Sequence, residues 1–289
     1  MPQLPDSKDA FLRIDSAPLP EGRIALGLEY QGQNYRGWQR QSKPSMPSVQ
    51  EQLEKALSKI AAKDVTVICA GRTDARVHAA HQVVHFDAPA MRSRKAWVTG
   101  CNSQMPSDIV VKWAEPVTDE FHARFSATAR RYRYIILNRQ QPTAHLAGLV
   151  THVDVPLDAE LMHREAQVLL GEQDFSGFRA SSCQSHSPMR NIHFAEVRRW
   201  QDFIVLDIQG NAFLHHMVRN IAGVLIAVGR GEQPAGWTAQ VLASRDRTQG
   251  GVTAKPYGLY LVDVSYPAHF NLPQNRPGPV FVNTEFLRP

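Results

Sequence analysis

Apolar and polar positions recur along this chain with two periods, and the switches between them lay out its elements. Ile24-Ala25-Leu26-Gly27-Leu28-Glu29-Tyr30 is a nearly continuous apolar run of strand length, which predicts a buried strand. A polar loop follows over 31–47, punctuated by Gly32, Gly37, Pro44 and Pro47. Ser48 and Glu51 have capping-box spacing, and Val49, Leu53, Ala56, Leu57 and Ile60 share one face of the helix that starts there. Strands are predicted over 65–69 and 82–86, a helix over 91–100 and a strand over 109–113. This β-α-β-β-α-β order is the split βαβ, or ferredoxin-like, plan.

The second half repeats the plan without evident sequence identity. A long strand is predicted over 126–137. An amphipathic helix covers 158–170, capped by Asp158 and stopped by Gly171. Residues 192–200 and 203–209 read as a hairpin turning at Gln201-Asp202. A broadly apolar, hence buried, helix follows over 213–228, then a short helix over 238–243 and a closing strand over 259–264. The fold class is therefore α+β, with two ferredoxin-like domains at 22–120 and 121–271, joined within 115–125. A loose tail over 1–21 precedes them, and a Pro-rich tail over 272–289 follows.

With 289 residues, 43% hydrophobic and 20% charged, the chain can bury a sizeable core. No apolar run approaches the roughly 20 residues of a membrane span, and the N-terminus has no apolar signal core, so neither membrane nor secretion is expected. Cys69, Cys101 and Cys183 are far apart and odd in number, which suits reduced thiols in the cytoplasm and gives no zinc spacing. The net charge is +5 and the pI about 9.2. Only 8 of the 32 basic residues are lysine, leaving 24 arginines. Arginine suits bidentate phosphate contacts and stacking on bases, which favours a nucleic-acid partner.

The most informative stretch is Cys69-Ala70-Gly71-Arg72-Thr73-Asp74. Two strands joined by a short charged loop lift that loop to the rim of a sheet. A carboxylate there, with a cation nearby, stays ionised even when partly buried, as a nucleophile or general base must. The same Arg-x-Asp spacing also fits an ordinary surface ion pair. Next, Arg130-Arg131-Tyr132-Arg133-Tyr134-Ile135-Ile136 alternates rings with guanidiniums. Period two puts Arg130, Tyr132, Tyr134 and Ile136 on one face, and Arg131, Arg133 and Ile135 on the other. Such a strand can stack bases, or simply cover a core edge. Arg219 lies on the apolar helix and needs an anionic partner or a route to water; Asp74 would serve as the partner. His78, His81 and His85 span a loop and a strand with no cysteine or paired acid, so no metal is expected. His215 and His216 are adjacent in a predicted helix, pointing to different faces, and read as local hydrogen-bonding residues.

Six segments, taken together, resemble the tRNA pseudouridine synthases of the TruA type. They are Tyr35-Arg36-Gly37-Trp38-Gln39-Arg40-Gln41, Ala70-Gly71-Arg72-Thr73-Asp74-Ala75, Phe121-His122-Ala123-Arg124-Phe125-Ser126-Ala127, Arg131-Tyr132-Arg133-Tyr134, Phe213-Leu214-His215-His216-Met217-Val218-Arg219-Asn220 and Gly258-Leu259-Tyr260-Leu261. They occur in order between about residues 24 and 267. The resemblance implies two ferredoxin-like halves sharing one antiparallel platform, with a basic cleft between them. It implies a homodimer that binds tRNA. It implies isomerisation of uridine to pseudouridine at positions 38, 39 and 40 of the anticodon stem-loop, with no cofactor and no metal.

By the same resemblance Asp74 is the nucleophile, and Arg72 helps flip the uridine and fills its place. Tyr132 packs on the base and is a candidate to take the C5 proton. Arg219 pairs with the aspartate, and Leu259 lines the uracil pocket. Arg124, Arg130, Arg131 and Arg133 are candidate phosphate contacts. One position departs from the family's usual Asp-Ala-Gly-Val-His: Arg76 stands where the glycine would be. If that backbone has φ > 0, the side chain costs about 1–2 kcal/mol. Two other classes fit parts of the pattern: a non-catalytic RNA-binding protein on the same platform, and a metal-dependent hydrolase built on His78, His81 and His85.

Overall fold

The computed structural model describes residues 16–41, 47–274 and 276–282. The expected loose segments over 1–15 and 283–289, and the part of the polar loop over 42–46, lie outside the described residues. In the first half, β1 (Pro18–Leu19) and β2 (Gly22–Tyr30) precede α1 (Val49–Ala61). Then come β3 (Ile68–Cys69), β4 (His78–Ala88), β5 (Arg92–Ser93), a π-helical turn at Ala96–Gly100 and β6 (Ile109–Pro116). The second half runs β7 (Ala129–Asn138), β8 (Thr151–Val153), α2 (Ala159–Ala166), β9 (Gly171–Asp174) and β10 (Met189–Trp200). It closes with β11 (Phe203–Gly210), α3 (Met217–Gly229), α4 (Trp237–Ser244) and β12 (Leu259–Ser265).

The α+β class holds, and one large sheet runs in the order β6-β2-β4-β12-β7-β11-β10-β9. β3 adds to β4 and β8 to β7. All its pairs are antiparallel except β7 with β8 and the central β4 with β12. That central contact is brief, matching Tyr260 with His78 and Leu261 with Ala79. It joins strands from the first half to strands from the second. The Asp74 loop, which leads into β4, is thereby set beside the start of β12.

Local chemistry explains where elements begin and end. Ser48 Oγ accepts the Glu51 amide at 3.2 Å, starting α1, and the Asp158 carboxylate does the same for Leu161 at 2.9 Å in α2. The strand expected over 65–69 shrinks to two residues. Glu54, buried on α1, takes the Val67 amide at 3.1 Å, so that group is lost to the ladder. The helix expected from residue 91 starts at 94, because Arg92 and Ser93 pair with Pro18 and Leu19. That pairing also orders the end of the expected N-terminal tail and buries Leu19. The strand expected from 126 begins at Ala129, since the Ser126 amide closes a turn onto the His122 carbonyl. The helix expected from 213 begins at Met217, after His216 in a left-handed conformation with φ +60°.

α1, α2 and α3 share a core with one face of the sheet, a core that includes Tyr132, Tyr134 and Ile136. The opposite face carries a smaller cluster of Ile135, Leu137, Val205, Tyr260, Val262 and Val282. Residues 276–282, expected to be loose, lie against this second face: Arg133 donates to the carbonyls of Pro277 and Gly278, both at 2.8 Å. On that face Asp207 of β11 accepts from Arg131 at 2.7 Å and from Arg133 at 2.8 Å. The side chains of Asp207 and Arg133 are 3% and 2% exposed. Removing one member of a buried pair leaves an uncompensated charge, which costs about 3–5 kcal/mol. Asp207→Ala is therefore expected to lose that much stability in urea unfolding. A loss below about 1 kcal/mol would show the cluster to be incidental.

No described helix is long and apolar enough to cross a membrane.

Candidate active site

The loop from Ala70 to Val77 is held from several sides. The Ala70 amide bonds the Val83 carbonyl at 2.8 Å, and Gln82 donates to the Gly71 carbonyl at 2.6 Å. The Val77 amide closes a turn onto the Asp74 carbonyl at 3.1 Å. From the side, the Trp38 amide donates to the Thr73 carbonyl at 3.0 Å, and the Arg76 amide to the Tyr35 carbonyl at 3.2 Å. The hydroxyls of Thr73 and Tyr30 meet at 2.7 Å. Gly37, at φ +90°, must be glycine: a Cβ there would lie 2.5 Å from the Thr73 carbonyl oxygen and 2.8 Å from the Asp74 carbonyl carbon. Residues 35–38 are thus a cradle pressed against the loop's backbone.

The Asp74 side chain, 24% exposed, faces α3 across the centre of the sheet. Arg219 Nη1 donates to its Oδ2 at 3.3 Å. Arg219 is oriented from behind, since its Nε donates to the Ala254 carbonyl at 2.9 Å. The Ala254 amide in turn bonds the Arg219 carbonyl at 3.1 Å. Two further groups close on the carboxylate. His215 Nε2 lies 3.3 Å from Oδ1, and His216 Nε2 lies 3.3 Å from Oδ2. The expectation that these histidines point apart on a helix is corrected here. They precede α3, and the left-handed backbone at His216 turns both rings to one side, 3.9 Å apart. His215 Nδ1 meets Ser182 Oγ at 3.1 Å. Burial pushes His216 below the usual histidine range, against the pull of Asp74.

Tyr132 is buried on the same side of the sheet. Its hydroxyl lies 3.7 Å from where a Cβ on Gly71 would stand. Phe213 meets its ring edge-on, with centroids 5.1 Å apart. Burial, reinforced by the charge of Asp74, pushes the phenol well above the usual tyrosine range. A phenol held there can wall a pocket and donate a hydrogen bond to a bound base. Leu259 is buried opposite Tyr134 in the β12–β7 register, which puts it on the Tyr132 face.

The expected phosphate contacts separate. Arg72 and Arg124 are exposed. Arg130 is spent on the backbone, donating to the carbonyls of Ala70, Arg124, Ala127 and Asn211. Arg131 and Arg133 lie on the opposite face, bound to Asp207, so the structure does not bring them to Asp74. Arg76 does have positive φ, +66°, so the backbone cost of about 1–2 kcal/mol applies. Its guanidinium donates to the Tyr257 hydroxyl at 2.7 Å, tying the loop to the turn before β12.

Among the described residues, Asp74, His215 and His216 form a group with metal-ligand spacing, their ligand atoms all within 4.8 Å. A cation placed there would meet the Arg219 guanidinium on the same carboxylate, and that repulsion opposes binding. His78, His81 and His85 do not converge. His78 Nδ1 accepts the Gly32 amide at 3.0 Å, His85 Nδ1 accepts the Ala123 amide at 3.0 Å, and His81 is buried near Trp113.

With this geometry in view, the chain was compared with known proteins. Residues 28–126 and 166–267 match the family model described as tRNA pseudouridine synthase. Proteins named tRNA pseudouridine synthase A are similar over nearly the whole chain. The one from Pasteurella multocida is 57% identical over 263 residues, covering 91% of this chain and 99% of that protein. The one from Haemophilus influenzae Rd is 56% identical over 265 residues, covering 92% and 98%. The one from Pseudomonas aeruginosa is 57% identical over 269 residues, covering 93% and 94%. The chain belongs to the tRNA pseudouridine synthase family, and is an isomerase.

The three β4 histidines make a testable demand on stability. Burial pushes each down to about 4. Unfolded histidine takes up its proton near 6.5. Between those values the unfolded chain binds more protons than the fold, so stability falls as pH drops from about 6.5 to about 4. Each histidine contributes a slope of up to about 1.4 kcal/mol per pH unit. Urea midpoints measured across that window should fall with pH, and His85→Asn should flatten the fall by about one proton. A flat profile in the native chain would show that these rings protonate inside the fold.

Proposed function

We propose that this protein isomerises uridine to pseudouridine at positions 38, 39 and 40 of the tRNA anticodon stem-loop, with Asp74 as the nucleophile. The observation that carries the reading is the Asp74 carboxylate itself, partly buried and held by Arg219, on a loop gripped by the Tyr35–Trp38 cradle and with the Tyr132 hydroxyl beside Gly71. The chain's family supplies the reaction class.

In this reading Asp74 attacks the extruded uridine, either at C6 of the base or at C1′ of the ribose. The N1–C1′ bond breaks, the uracil turns in place, and a C5–C1′ bond forms. C5 loses its proton, N1 gains one, and the carboxylate is released unchanged, so the atoms balance without cofactor or metal. The freed uracil must be kept from escaping, which asks for stacking and apolar walls. Tyr132, Phe213 and Leu259 suit that role. Arg219 and the two histidines hold the carboxylate in place. Extruding a base from a stem costs a few kcal/mol, offset when a side chain fills the gap. Arg72, exposed two residues before Asp74, is assigned that place, and Arg124 a phosphate.

The remaining parts of the reading rest on the family resemblance and the sheet order. They are two ferredoxin-like domains at 22–120 and 121–271, a homodimer on which one tRNA contacts both subunits, and action in the cytoplasm.

Tritium release from tRNA transcripts labelled at uridine C5 tests the assignment. The native chain should release label, with or without EDTA. Asp74→Ala should fall to background, and Arg219→Met should lose on the order of 10²-fold, as when a positioned electrostatic group is removed from a partly dry site. Tight tRNA binding with all label retained by the native chain would instead favour a non-catalytic RNA-binding protein. Loss of release in EDTA would favour a metal enzyme.

A further inference from the structure

Residues 121–127 form a turn whose two phenylalanines have opposite fates. Phe121 is wholly buried, whereas Phe125 is 76% exposed. Leaving a phenylalanine in water forgoes about 1.5–3 kcal/mol of burial. The fold does not require this exposure, because the turn is fastened without the Phe125 ring. His122 Nδ1 accepts the amides of Arg124 at 3.2 Å and Phe125 at 3.1 Å. Ser126 returns two bonds to His122, its amide to the carbonyl and its Oγ from the amide, both at 2.9 Å. Ala123 is pinned to His85 at 3.0 Å and to the Tyr266 hydroxyl at 2.6 Å.

On this rigid turn the Phe125 ring is oriented. The His122 ring stacks on it, with centroids 4.3 Å apart and planes at 28°. The Arg124 guanidinium lies 5.5 Å from its centroid, a cation suited to the phosphate beside a stacked base. The turn is also tied to the loop of the nucleophile. One guanidinium nitrogen of Arg130 donates to both the Arg124 carbonyl, at 2.5 Å, and the Ala70 carbonyl, at 3.0 Å. Ala70 stands four residues before Asp74. An exposed aromatic ring, preset in angle and flanked by a cation, is the arrangement on which unpaired bases stack.

The geometry points to Phe125, backed by His122 and flanked by Arg124, as a stacking platform for one unpaired nucleobase of the RNA beside the uridine presented to Asp74. This rests on the proposed function for the RNA, but its test reads binding and does not need turnover.

The probe is an unmodified tRNA anticodon stem-loop, and a second copy carrying 2-aminopurine in the loop. Phe125→Ala should weaken binding by about 5- to 100-fold, the range for loss of one stacked base. Phe125→Trp should keep native affinity, because a larger ring still stacks. The slope of log affinity against log salt should be unchanged in both, whereas Arg124→Ala should reduce it by about one. At saturating protein, 2-aminopurine emission should be quenched by the native and Phe125→Trp chains and not by Phe125→Ala. Native affinity in Phe125→Ala, or a Phe125→Trp chain as weak as Phe125→Ala, overturns the platform. A chain that shows the Phe125 dependence yet releases no tritium overturns the synthase reading and leaves the platform standing.

Discussion

A partly buried carboxylate needs a cation, and most of this structure can be understood as the means of providing one. Asp74 enters from the first half on the loop before β4, and Arg219 from the second half at the start of α3. Each is partly withdrawn from water, where a charge is costly without a partner. Their meeting at 3.3 Å depends on the brief β4–β12 contact that fuses the two sets of strands. It also depends on the segment reaching Ala254, which fixes the far end of the guanidinium. The pair therefore records the correct assembly of the whole sheet.

Everything around the pair limits its freedom. The Tyr35–Trp38 cradle needs glycine at 37 to come close enough to grip the Thr73 and Asp74 backbone. His215 and His216 each meet one carboxylate oxygen at 3.3 Å, and burial pushes His216 below the usual histidine range. Tyr132 and Leu259 bring an apolar wall on neighbouring strands. A rigid carboxylate beside a dry wall suits chemistry in which a base is cut from its sugar and must be retained until it is rejoined.

Much of this was legible in the sequence. The Arg72-Thr73-Asp74 loop between two strands, the need of Arg219 for an anion, and the two faces of the Arg130–Ile136 strand all follow from pattern and charge. What escaped was long-range. Period two had already set Arg131 and Arg133 on the face away from Tyr132, but their partner Asp207 lies on β11 and could not be paired with them before the register was known. His215 and His216 read as pointing to different faces of a helix, because the left-handed turn that aims both rings at Asp74 has no local signature. The strand over 65–69 looked complete because nothing nearby revealed that Glu54 takes the Val67 amide. Arg76 sits at the φ > 0 that its place in the motif suggested, but its bond to Tyr257 spans distant parts of the chain.

The most direct test of the central claim is a crystal structure of the Asp74→Asn chain bound to an anticodon stem-loop. The account predicts the target uridine turned out of its stack, with the side chain at position 74 about 3–3.5 Å from its C1′ or C6 and Arg219 still beside that side chain. A target uridine left stacked in the RNA, or one bound with Tyr132 and position 74 both out of reach of its ring and sugar, would contradict it.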